Sequence, residues 1–112
     1  MYNRVRYISV LILYLIVNGS EAATLSMICK NPRREYLVVF NDFSRSFIAK
    51  AEEGDTPYRV DSIRRVGESY TVKGVTIFGG PSFSALIGDG QQFIQFFDSR
   101  KLHQTDYCRK AS

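Results

Sequence analysis

The chain has 112 residues, 45% of them hydrophobic and 23% charged, with seven Tyr, eight Phe, two Cys, one His and no Trp. That length suffices for one domain and excludes two. A formal net charge of +4 does not by itself imply a nucleic-acid surface, and one His with two Cys leaves little from which to build a metal centre.

At the N-terminus, Arg4 and Arg6 precede the apolar run Tyr7–Val17, which gives way to the small and polar residues Asn18–Ala23. These are the three regions of a secretory signal peptide, so residues 1–22 are expected to be removed and residues 23–112 to form a single mature domain. Cleavage after Ala22 sets Ser20 and Ala22 where a signal peptidase requires small side chains, whereas cleavage after Ala23 would set Glu21 in one of those places. The apolar run is about half of the ~20 helical residues a bilayer core demands. No later stretch equals it, so no transmembrane segment is expected in the mature chain. An uncleaved signal anchor and a lipid attached at Cys29 are the alternatives; Met27-Ile28 ahead of that Cys argues against the second. The chain is therefore expected to be exported, to the periplasm or beyond. Without Arg4, Arg6 and Glu21, the 15 basic and 11 acidic side chains fall to 13 and 10, a net +3.

Export implies an oxidising compartment. Cys29 and Cys108 lie near the two ends of the mature chain, and a disulfide between them would stabilise the domain by about 4–5 kcal/mol through its effect on the unfolded state. It would also bring the first and last strands to within ~6 Å of each other. A reactive or metal-binding pair would need a CxxC spacing or a neighbouring ligand, and neither is present.

Between the cysteines, short β-branched and aromatic runs recur about every ten residues: Leu25–Lys30, Glu35–Asn41, Arg45–Ala51, Tyr58–Arg64, Glu68–Lys73, Val75–Phe78, Ser82–Ile87, Gln92–Phe97 and Thr105–Arg109. Gly, Pro, Asn, Asp or Ser interrupts them, the spacing of an antiparallel meander. Alternation sets Tyr58, Val60 and Ser62 against Arg59, Asp61 and Ile63, and Phe83, Ala85 and Ile87 against Ser82, Ser84 and Leu86. Glu53-Gly54-Asp55, Gly79-Gly80-Pro81 and Gly88-Asp89-Gly90 suit hairpin connections. Phe43, Phe47, Ile48 and Ala51 also form a helical stripe behind the possible caps Asp42 and Ser44, so a short helix is the alternative there. The expected fold is all-β: a small antiparallel barrel or sandwich closed by one disulfide, with its twelve mature aromatics supplying most of the core.

Little here signals catalysis. His103 has Asp106 as its nearest acid, but residues three apart on a strand point to opposite faces, so a solvated or loop-packed His is expected and no catalytic residue is assigned. No phosphate loop or nucleophile elbow occurs, and neither a metal nor a cofactor is expected. The pairs Arg33-Arg34, Arg64-Arg65, Arg100-Lys101 and Arg109-Lys110 lie at strand ends or in loops. Solvated charges explain them better than specific nucleic-acid recognition does. Gly79, Gly80, Pro81, Ser82 and Phe83 form the most distinctive stretch, read either as a loop that presents Ser82 or Phe83 to a partner or as a tight connection alone.

The signal-type N-terminus, the early Cys, Gly67-Glu-Ser-Tyr70-Thr-Val-Lys-Gly74-Val-Thr-Ile-Phe78, the following Ser84-Ala85-Leu86 and the late Cys108 together resemble the small periplasmic inhibitors of c-type lysozyme. The resemblance implies an eight-stranded antiparallel barrel with a disulfide near the chain ends. It does not extend to the inhibitory groups. That family places a Ser before the Gly-x-x-Tyr element and Lys-Gly in the next turn, where this chain has Val66 and Gly80-Pro81.

These readings converge on a monomeric, exported, non-enzymatic binding protein of the cell envelope, inhibitor-like, recognising a protein or glycan partner. The alternatives are a small secreted hydrolase using His103 with a carboxylate and an Arg, and a structural envelope component.

Overall fold

The computed structural model describes residues 24–77 and 79–111. The expected signal peptide and its expected cleavage position fall outside the described residues, as does Phe78.

Eight strands follow one another: β1 (Thr24–Lys30), β2 (Glu35–Asn41), β3 (Ser46–Ala51), β4 (Gly54–Val66), β5 (Ser69–Val75), β6 (Ser82–Ile87), β7 (Gln92–Asp98) and β8 (Lys101–Lys110). Each pairs antiparallel with the next, and β1 pairs with β8, so the sheet closes into a barrel rather than a sandwich. Closure leaves few strand edges free to template association. Nine apolar runs become eight strands because Val75 completes β5, while Thr76 and Ile77 enter the connection to β6.

The helical stripe is overruled by a side-chain cap. Asn41 Oδ1 accepts hydrogen bonds from the backbone N–H groups of Phe43 at 3.0 Å and Ser44 at 2.9 Å, folding the chain back on itself. Phe47, Ile48 and Ala49 then pair with both β2 and β4, and Phe43 is left 80% exposed at the turn.

Alternation directs the core. Met27, Cys29, Val38, Phe40, Phe47, Val72, Ala85, Ile87 and Ile94 are buried inside the barrel. Ring contacts run from Tyr70 to Phe40 at 5.3 Å, Phe40 to Phe47 at 6.3 Å, and Phe47 to Phe83 at 4.9 Å. Tyr58 lies 5.5 Å from Phe47 and 5.1 Å from Phe83. The aromatics share the core with aliphatic residues rather than dominating it, and Tyr107 stays outside.

The alternation expected for β4 holds only for its first half. Val60 pairs with Gly74 and Ser62 with Lys73, leaving Asp61 unmatched. This bulge shifts the pleat by one residue, so Ile63 rather than Ser62 packs against the core. Along β6 the expected faces hold: Phe83, Ala85 and Ile87 are buried.

Because strand direction alternates, residues 31–34, 52–53, 76–77, 79–81 and 99–100 gather at one end, here the upper end. Residues 42–45, 67–68 and 88–91 gather at the lower end, with the start of β1 and the finish of β8. Cys29 and Cys108 are register partners across the closing seam, disulfide-bonded with Cα atoms 4.0 Å apart. The β1–β8 ladder involves only Met27–Lys30 and Tyr107–Lys110, so Lys101–Asp106 pairs with β7 alone. The barrel wall is therefore notched at its upper end.

Candidate site at the upper end of the barrel

Asp106 stands where the β1–β8 ladder stops. Period two on β8 sets Gln104, Asp106 and Cys108 on the inward face, and Asp106 is 1% exposed. On the other side of β1, Tyr36 is the register partner of Cys29. The disulfide fixes β8, which carries Asp106, to β1 at Cys29, and the β1–β2 ladder sets Tyr36 beside the same residue.

The Tyr36 hydroxyl donates to Asp106 Oδ2, and Gln104 Nε2 donates to Oδ1 at 2.5 Å. Each carboxylate oxygen therefore receives one neutral donor. Burial first, then the hydrogen bond to Asp106 and its negative charge, push the Tyr36 phenol far above its ordinary range. Burial and the same carboxylate raise the Tyr58 phenol. Both phenols remain protonated in neutral solution.

Above this network lies an open cavity of about 410 Å³, within the roughly 300–1,000 Å³ range of small-molecule sites. Its walls are Tyr36, Tyr58, Phe96, Ala49 and Ala51, and its floor includes Gln104 and Asp106. Asn31, Arg34, Glu53, Thr76, Ile77 and Pro81 form the rim. Arg34 and Glu53 are ion-paired across the upper loops. Asn31 Oδ1 accepts from the backbone N–H groups of Arg33 at 2.8 Å and Arg34 at 3.0 Å, setting the shape of the β1–β2 loop.

The chain matches no family model, no curated protein and no solved structure.

The expected recognition loop meets this cavity in part. Thr76 N–H donates to Pro81 O at 2.9 Å, as does its hydroxyl at 2.9 Å, and Gly80 N–H donates to Ile77 O at 2.8 Å. Gly79 adopts φ 75°, a conformation that glycine takes without steric cost. The closed loop directs Pro81 and the 56%-exposed Ile77 to the rim. Ser82 lies exposed at the start of β6. Phe83, by contrast, is 2% exposed between Phe47 and Tyr58, so it belongs to the core beneath the loop and is not presented outward.

His103 also reaches the cavity. Phe96 pairs with Gln104 and Phe97 with Leu102, which leaves His103 as the unmatched residue of a second bulge. A bulge re-aims a side chain that regular pleating would send outward. His103 and Asp106 therefore line one cavity without a turn between them, although no hydrogen bond joins them among the described residues. No group of three or more potential metal ligands occurs among those residues.

Neither Asp106 nor Tyr36 stands out from composition. A signal was nonetheless present: a bridged Cys108 must face inward with Cys29, and two-residue periodicity then sends Asp106, a charged residue, into the interior as well.

Proposed function

We propose that this chain is an exported, monomeric, non-enzymatic binding protein of the cell envelope, periplasmic or secreted, that receives part of a protein or glycan partner in the upper cavity. The observation that carries this reading is the cavity itself. It is an opening with mostly apolar walls over a hydrogen-bonded carboxylate, rimmed by Thr76, Ile77 and Pro81, of which Pro81 belongs to the Gly79–Phe83 stretch that the sequence singles out. Sites of this kind combine apolar area with a few fixed polar groups. The closed barrel and its disulfide are the features that the resemblance to lysozyme inhibitors would require, and inhibitor-like recognition is the form of binding to test first.

Binding of purified lysozymes and of peptidoglycan fragments should be measured for the native chain and for Ile77→Glu, which places a charge on the rim without touching the core. Binding weakened by the substitution supports the reading. Binding that ignores the rim, or its absence across both classes, removes it. The mass of the exported protein without reductant tests the address: a start at Ala23 with no free thiol is expected.

A hydrolase is the second reading, because Arg34, Glu53 and His103 line the same cavity. Both carboxylates that such a reaction could use are engaged, Glu53 by Arg34 and Asp106 by Tyr36 and Gln104, which favours binding. Turnover of RNA or a glycan polymer that vanishes in His103→Ala would reverse this preference.

A further inference from the structure

Asp106 is buried, yet its hydrogen-bonding partners are both neutral. A buried carboxylate is strongly disfavoured unless hydrogen bonds and an opposite charge compensate it. The hydrogen bonds are supplied here, and the opposite charge is not. Among the described residues no Lys, Arg or His forms an ion pair with Asp106: Arg34 on the rim is paired with Glu53, and His103, which lines the same cavity, makes no hydrogen bond or ion pair with the carboxylate. A carboxylate offers about four lone-pair directions, of which Tyr36 and Gln104 occupy two.

Three aromatic rings stand among the residues around this charge. Tyr36, Tyr58 and Phe96 line the same cavity as Asp106, and ring faces attract cations electrostatically, more strongly where water is scarce. Ala49 and Ala51 add small apolar surface against which a methylene stem can lie. An anion would be repelled by Asp106, and a neutral guest would leave its charge uncompensated.

We propose that the upper cavity is a receptor for an alkylammonium group, with Asp106 as its counter-ion and Tyr36, Tyr58 and Phe96 as its walls. The inference rests on the reading of the chain as a binding protein and specifies the chemistry of the group that enters. An alkylammonium can belong to a lysine side chain or to a free amine, and the two share this recognition.

The test is an amide-shift titration of the disulfide-bonded product of the full-length chain with n-butylammonium and with its neutral counterpart n-butanol. Shifts should centre on Thr56, Ile77, Gln104 and Asp106, all of which line the cavity, and the amine should bind about tenfold or more tightly than the alcohol. Asp106→Asn, which keeps the shape and removes the charge, should abolish that preference. Should this variant not fold, the amine-to-alcohol ratio in the native chain decides alone. A glycine-flanked lysine peptide that binds more tightly than butylammonium assigns the group to a protein partner, and equal or weaker binding assigns it to a free amine; either supports the proposal. Equal affinity for amine and alcohol, or shifts scattered over the surface, overturns it. Cavity shifts produced by lysozyme or a glycan fragment, but not by amines, would sink the cation while sparing the wider binding reading. Partner binding confined to another surface would sink that reading instead.

Discussion

Tyr36 and Asp106 depend on each other in a way that single substitutions can expose. Tyr36→Phe keeps the ring but removes one of the two donors to a buried carboxylate, at an expected cost of about 1–3 kcal/mol in urea unfolding. Gln104→Leu should act in the same direction, and the double variant should lose more than either, since both support one acceptor. The tyrosines also set an alkaline limit. Burial raises Tyr36, Tyr58 and Tyr70 above the usual value of 10.0. Above that pH the unfolded chain releases protons that the native chain retains, so stability falls as pH rises. Full stability is expected below about pH 10, with progressive loss above it. Phenolate absorbance should rise together with unfolding rather than before it, apart from the contribution of exposed Tyr107.

Among the elements, the β7–β8 hairpin carries the clearest conflict between sequence and backbone. Ser99 and Arg100 adopt φ 49° and 68°, the left-handed pair that a two-residue hairpin turn demands, with side chains poorly suited to it. Ser99→Asn with Arg100→Gly should therefore raise stability by about 1 kcal/mol, seen as a higher urea midpoint. Gly74 presents the opposite case. A Cβ there would lie 1.8 Å from Arg59 O and 3.1 Å from a Phe83 ring carbon, at the register pair Val60–Gly74 next to the β4 bulge. Gly74→Ala should cost about 3 kcal/mol or more, with β4–β5 amides losing exchange protection first. Strand positions were largely legible from apolar runs and turn residues. The bulges at Asp61 and His103 were not, because inserting one residue reverses the faces downstream and no local composition marks it. The residues 42–45 turn was similarly ambiguous until Asn41 was seen to cap it.

For the whole molecule, the disulfide is the main long-range constraint: it joins positions 79 apart in sequence. Reduction, or replacing both Cys by Ala, should lower unfolding free energy by about 4–5 kcal/mol, measured against the oxidised chain in urea. It should also loosen Tyr36 and Asp106 specifically, because each sits beside the bridged segment. The pairing and the all-β class follow from residue spacing alone. The cavity does not, since it is assembled from β2, β3, β4, β7, β8 and three loops, and only closure of the barrel brings these together. Closure with an even number of strands has one more effect. Thr24 and Lys110 both lie toward the lower end, while the cavity opens at the upper one. The molecule thus has a handle and a mouth on opposite sides, so a label, a fusion partner or a solid support attached beyond either position leaves the mouth facing outward, ready to be occupied.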